Sequence, residues 1–145
     1  MALVLDSGGL LAALDPGQNN HEAFSAALTG YVCGPLVISP FVVAELDYMI
    51  LRDYGREDQL AFLEEVDRGA YRLEPFDEAD FSRAWGLISQ YRYLTSFGIA
   101  DASCVVLAER HDTFDILTTD QRDFRRIELP GGGYFRILPY DLQDS

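Results

Sequence analysis

Leu36-Val37-Ile38-Ser39-Pro40-Phe41-Val42-Val43-Ala44-Glu45-Leu46 decides the fold. Leu36-Val37-Ile38 is a short apolar run that reads as a buried strand. Ser39 follows as a helix cap, with Pro40 at the first helical position, where its missing N–H would have no partner anyway. The helix then runs to about Tyr54 and ends at Gly55. A strand that passes at once into a capped helix is the opening of a β-α-β unit.

The same alternation extends in both directions. Upstream, Leu3-Val4-Leu5 reads as a buried strand ending on Asp6, and Leu10 to Leu14 as a short helix stopped by Asp15-Pro16-Gly17. Asn19 or Asn20 caps a second helix through Leu28, with Gly30 after it. Downstream, Glu57 to Arg68 is helical and closes at Gly69; Tyr71 to Glu74 is a weaker third strand. Asp77 caps a helix to Tyr91, and the nearly all-apolar Ile99 to Arg110 reads as a buried helix. Phe114 to Thr119 is a fourth strand ending on Asp120, and Gly131-Gly132-Gly133 turns into a last strand, Tyr134 to Leu138. Alternating strands and helices predict a three-layer α/β/α sandwich around a mainly parallel sheet, in a single domain over residues 1–145. Ligands of such sheets bind beyond the carboxyl ends of the strands. Asp6 and Asp120 stand at two of those ends.

Composition narrows the function. Acidic residues number 24 and basic residues 11, a formal charge of −13, and every basic residue is arginine. The average field does not attract nucleic acid; it attracts a basic protein partner. Cys33 and Cys104 are too few for a disulfide framework, so a reduced compartment is the default. The N-terminus lacks a basic region and Asp6 interrupts its first apolar run, so no signal peptide is read there. No apolar run approaches the roughly 20 residues of a membrane span. A soluble, cytoplasmic protein is expected. His21 and His111 lack metal-ligand spacing and read as surface residues.

Four carboxylates occupy telling places, and each also has an ordinary explanation. Asp6 and Asp120 suit turns after strands. Glu45 flanks the apolar face of Val42, Leu46, Met49 and Ile50; taken alone it reads as a boundary glutamate that snorkels to water, whereas burial would demand a partner or a metal. Asp101 opens its helix, where the dipole favours an acid. Together they have a further meaning. Gathered carboxylates repel, so some stay protonated unless a cation joins them. Oxygen donors without an organised His or Cys set suit magnesium or manganese rather than zinc.

The set Asp6, Glu45, Asp101 and Asp120, in that order along strands and helices, resembles the PIN-domain ribonucleases. The stretches Val4-Leu5-Asp6-Ser7, Ser39-Pro40 to Ala44-Glu45-Leu46, Ile99-Ala100-Asp101-Ala102 to Glu109-Arg110, and Leu117-Thr118-Thr119-Asp120-Gln121-Arg122-Asp123-Phe124 carry the resemblance. Length and layout are similar to the VapC-type toxins of that family. The resemblance implies a Mg2+- (or Mn2+-) dependent endoribonuclease and toxin of a type II toxin–antitoxin pair. Asp6 and Asp101 would be the principal metal ligands, completed by Glu45 and Asp120, with Ser7 and Thr118 in support. It also implies a homodimer and a cognate antitoxin, whose basic C-terminal segment would suit the acidic surface. Gly8-Gly9 departs from the family, which has a bulkier pair there, and would loosen the first helix. Asp123 competes with Asp120 as the fourth acid; Asp120 is chosen because it ends the strand, leaving Asp123 to orient Arg122 or Arg126.

For RNA, Arg122, Arg125 and Arg126 either grip phosphates or are plain surface arginines. Tyr91, Tyr93 and Phe97 either stack on bases or, the favoured reading, pack in the core. Rival functions are weaker. Ser7-Gly8-Gly9 lacks the remaining glycines or lysine of a nucleotide-binding loop. A phosphatase with an aspartyl-phosphate intermediate would place a second Asp where Gly8 stands. The alternative of another kind is a catalytically silent PIN-like module that only binds a protein.

Overall fold

A computed structural model describes residues 1–142; residues 143–145, which the expected domain includes, lie outside the described residues. The central strands are β1 (Leu3–Leu5), β2 (Leu36–Ile38), β3 (Arg72–Leu73), β4 (Asp115–Leu117) and β5 (Arg136–Leu138). They form one sheet in the order β3-β2-β1-β4-β5, and every pairing is parallel. Leu5 stands level with Ile38 on one side and Leu117 on the other, so the carboxyl ends share one edge.

The helices are α1 (Ser7–Leu14), α2 (His21–Gly30), α3 (Pro40–Asp53), α4 (Arg56–Asp67), α5 (Glu78–Gln90), α6 (Ile99–Arg110) and the short α7 (Gln121–Phe124). From β1 the chain moves outward to β2; from β4 it moves the opposite way to β5. Right-handed crossovers in opposite directions lie on opposite faces, which makes three layers. The α1–α2 pair packs with α2 against β4, while α5 packs on α6 and α6 lies on β1 and β4. The core is the strand residues Leu3, Val4, Leu5, Ile116, Leu117 and Ile137 with Phe24, Leu107 and Phe124, all fully buried. Strands covered on both faces are largely apolar, as β1 and β2 are throughout; β4 and β5 begin on Asp115 and Arg136, which pair with each other at 2.7 Å.

Local chemistry explains the starts. Ser39 Oγ accepts from the N–H groups of Phe41 (3.0 Å) and Val42 (3.3 Å) and caps α3. Asp77 and Asp80 form a reciprocal capping box on α5. Asp120 accepts from Asp123 N at 3.1 Å and caps α7, a helix absent from the sequence-based expectation.

Several boundaries differ from expectation, the last strand among them, which begins at Arg136 rather than Tyr134. The first helix begins at Ser7 rather than Leu10, because Leu10 N already donates to Asp6 O at 3.0 Å. The third strand contracts to Arg72–Leu73. The fourth ends at Leu117, since Thr118 turns its hydroxyl to side-chain and loop partners.

Candidate active site

The loops after β1 and β4 leave in opposite directions and open a crevice between them. This is the switch point at which open α/β sheets bind ligands. Asp6 follows β1 directly. Its N–H donates to Leu117 O at 3.1 Å, so the ladder to β4 pins its backbone. Its Oδ2 accepts from Thr118 Oγ1 at 2.6 Å, and the same hydroxyl accepts from Asp120 N at 2.9 Å. One buried threonine thus ties two of the acids together.

The remaining acids approach from two helices. Asp101, in the first turn of α6, accepts from Gly98 N at 3.0 Å through Oδ2. Glu45, on α3, accepts from the Ser7 hydroxyl at the start of α1. Asp6 is the buried floor of the group, Asp101 and Asp120 are half-buried, and Glu45 is exposed at the rim. Glu45 reaches water from the flank of its apolar face, the reading favoured for it singly, while Val42, Leu46 and Ile50 take the core.

The four acids sense one another. Burial pushes the Asp6 carboxyl up to about 6, the hydrogen bonds from Thr118 and from Ser7 N oppose this, and the charges of Glu45 and Asp120 add to it. Burial likewise pushes Asp101 up to about 7; Asp6, Glu45 and Asp120 repel its charge, and only the bond from Gly98 pulls down. Beneath them the sealed Cys104 thiol is raised by burial and by the charges of Asp6, Asp101 and Glu45.

Whether a cation suits this group is tested by its loose ends. Asp6 Oδ1 is buried without a hydrogen-bond partner. Among the described residues, no three or more His, Cys, Asp or Glu side chains stand close enough to enclose an ion as they are. The donors are all hard oxygens, their charges are uncompensated, and the innermost has a free atom. Such a set fits a hard divalent cation.

Other expected residues fall into place or out of it. Arg122, Arg125 and Arg126 are exposed beside α7. Arg125 is held by Asp141 (2.9 Å) and Gln121 (2.8 Å). Among the described residues Arg122 and Arg126 make no ion pair. Asp123 orients neither of them: it is buried, with Oδ2 unpartnered, whereas the two arginines face solvent. Tyr91 and Phe97 are core residues, as favoured; Tyr93 is exposed. The histidines are half-buried rather than free at the surface. His111 Nε2 lies 2.7 Å from Oε1 of the buried Glu74, and His21 Nδ1 2.9 Å from Ala12 O.

The glycine pair does the opposite of loosening α1. A Cβ at Gly9 would lie 2.3 Å from Leu117 O, and one at Gly8 would lie 2.4 Å from Thr119 Oγ1. Their bareness lets the first turn of α1 lie against the end of β4, which is how Thr118 reaches Asp6. The small size of the pair was the available signal. Ser103, discussed below, gave none.

Comparison with known proteins agrees with this architecture. The PIN domain family matches residues 3–129. Ribonuclease VapC26 of Mycobacterium tuberculosis is 38% identical over 137 residues, 94% of this chain and 100% of that protein. In fold, the chain is similar to VapC20 of Mycobacterium tuberculosis, a toxin that cleaves the sarcin-ricin loop. The TM-score is 0.73 at 15% identity, over 83% of this chain and 91% of that one. FitAcB of Neisseria gonorrhoeae is similar at TM-score 0.54 and 22% identity, over 76% and 82% of the two chains. Family match, relative and fold agree: the chain belongs to the PIN-domain family.

Proposed function

We propose that this protein is a metal-dependent endoribonuclease and the toxin half of a type II toxin–antitoxin pair. The observation that carries the reading is the acid group at the β1/β4 switch point, with its innermost oxygen, Asp6 Oδ1, left without a partner. The full-length similarity to Ribonuclease VapC26 supports RNA as the substrate.

Asp6 and Asp101 would hold Mg2+ or Mn2+, with Glu45 and Asp120 completing the shell directly or through water. When bound, the ion supplies a polarised phosphate oxygen and an activated water. The chain supplies the rest. Thr118 holds one oxygen of Asp6 and leaves the other without a hydrogen-bond partner. Ser7 fixes Glu45 at the rim. Arg122 and Arg126, exposed and without an ion pair among the described residues, grip the RNA backbone that the acidic surface would otherwise repel.

The antitoxin contributes a basic segment. A cavity of about 310 Å³ between α1, α3 and α4 is lined by the apolar Leu11, Leu14 and Phe62; its acids are Asp15, Asp58 and Glu65, and no base lines it. Charge and shape there suit a basic, amphipathic partner. A homodimer and a cytoplasmic location complete the reading. Among the described residues no helix is long and apolar enough to cross a membrane.

The test is incubation of purified protein with structured RNAs, in magnesium or in chelator, beside Asp6→Asn. Metal-dependent cutting that the variant loses supports the enzyme. Cutting unaffected by the substitution points to a contaminating nuclease, and no cutting of any RNA leaves a silent binding module.

A further inference from the structure

Glu45 and Asp101 stand on separate helices, α3 and α6, which pack against each other. Two buried serines link them. Ser39, the cap of α3, and Ser103, in the second turn of α6, are both fully buried, with their hydroxyl oxygens 2.7 Å apart. Ser103 donates to Ala100 O at 2.6 Å. A hydroxyl has one proton, so in the bond between the two serines Ser39 is the donor. Ser39 Oγ meanwhile accepts from Phe41 N and Val42 N. The proton of each hydroxyl is committed, and the start of α3 is joined to the second turn of α6 by a directed bond.

The position of Ser103 makes its purpose legible. The buried stretch of α6 is otherwise Ala102, Cys104, Val105, Val106, Leu107 and Ala108. A buried hydroxyl there lowers helix propensity and must be desolvated, and an alanine would avoid both. What the hydroxyl adds is the link to α3. Asp101 lies two residues before Ser103, and Glu45 six residues after Ser39.

We infer that Ser39 and Ser103 form a clasp that sets the separation of Glu45 and Asp101, making Ser103 a positioning residue of the site. The inference rests on the proposed metal-binding role of those acids. A loss of the clasp lets the start of α3 and the second turn of α6 separate, so the two carboxylates no longer meet one ion together.

The test is Ser103→Ala, which leaves the Ser39 cap of α3 in place. Thr113→Val is the control: Thr113 is a buried threonine whose hydroxyl donates to Ala2 O at 2.6 Å, at the far end of β4. Both variants are expected to melt lower. Mn2+ affinity, read by the free-ion electron paramagnetic resonance signal, should weaken about tenfold in Ser103→Ala, a 1.4 kcal/mol effect. It should stay at the wild-type value in Thr113→Val. A second readout needs no metal. Amide exchange in Ser103→Ala should accelerate at Val42 and Val43 of α3 as well as in the first turn of α6. Wild-type Mn2+ affinity in Ser103→Ala, or faster exchange confined to α6, overturns the clasp. If the wild-type protein itself binds no Mn2+, the metal reading fails, and the exchange pattern still decides whether the serines couple the helices.

Discussion

Thr118 Oγ1 donates to Asp6 Oδ2 at 2.6 Å while accepting from Asp120 N at 2.9 Å, so one buried hydroxyl orders the acids after both β1 and β4. Replacing it by an isostere without a hydroxyl should disturb both. Thr118→Val leaves Asp6 Oδ2 and Asp120 N without this partner, at a cost of about 1–3 kcal/mol. It also removes the hydrogen bond that holds the Asp6 carboxyl down. Thermal melts should show a lower Tm and a smaller stabilisation by Mg2+ at pH 7 than in the wild type. Thr118→Ser should restore most of both. An unchanged melt in Thr118→Val would remove the hydroxyl from this account.

The crowded carboxyls give the metal-free protein a pH dependence of definite sign. In the folded state Asp6 is pushed up to about 6 and Asp101 to about 7, from an ordinary value of 3.8. Both hold protons more tightly folded than unfolded. Their contribution to stability is therefore full below the ordinary value and falls as pH rises, vanishing above about 7. In chelator, Tm should be lower at pH 8 than at pH 5.5, and an Asp6→Asn/Asp101→Asn variant should show a flatter profile. Identical profiles for wild type and variant would mean that the two acids are not strained by burial and one another.

Added magnesium should raise Tm, because the ion binds the native arrangement and not the unfolded chain. The gain should be larger at pH 8, where the acids are ionised, than at pH 5.5. Asp101→Asn should shrink the shift. A shift of full size in that variant would place the ion elsewhere.

Much of this was legible in the sequence. Ser39-Pro40 announced the start of α3 to the residue, because a cap and a first-turn proline have few other uses. The apolar stretch after Asp101 announced a buried helix, and short apolar runs ending on Asp6 and near Asp120 announced the edge where β1 and β4 end side by side. What was hidden depends on contacts between distant segments. α7 exists because Asp120 caps it, a local signal overshadowed by the run of charged residues around it. Ser103 looks like any small helical residue until Ser39 is seen beside it.

Gly9 shows the same principle and gives a sharp contrast. An added Cβ would sit 2.3 Å from Leu117 O and 2.5 Å from its carbonyl carbon, both backbone atoms that cannot swing aside. Gly9→Ala should destabilise by about 1–3 kcal/mol through overpacking. At Gly86, in α5, nothing lies within 4 Å of the added carbon, so Gly86→Ala should raise stability by up to about 1 kcal/mol. Denaturant titration of both variants checks the pair. Equal behaviour would mean that α1 does not rest on the end of β4.

The central claim is that Asp6 and its neighbours perform metal-dependent RNA hydrolysis. Its most direct measurement is the single-turnover cleavage rate of an end-labelled structured RNA, in magnesium at pH 7.5, for wild type, Asp6→Asn and Arg68→Ala as a surface control. The account predicts cleavage that chelator abolishes and magnesium restores. The rate should fall at least about hundredfold in Asp6→Asn, a loss near 2.7 kcal/mol of transition-state stabilisation, and be unchanged in Arg68→Ala. A folded Asp6→Asn protein that cuts at the wild-type rate, or wild-type cutting that persists in chelator, would contradict it.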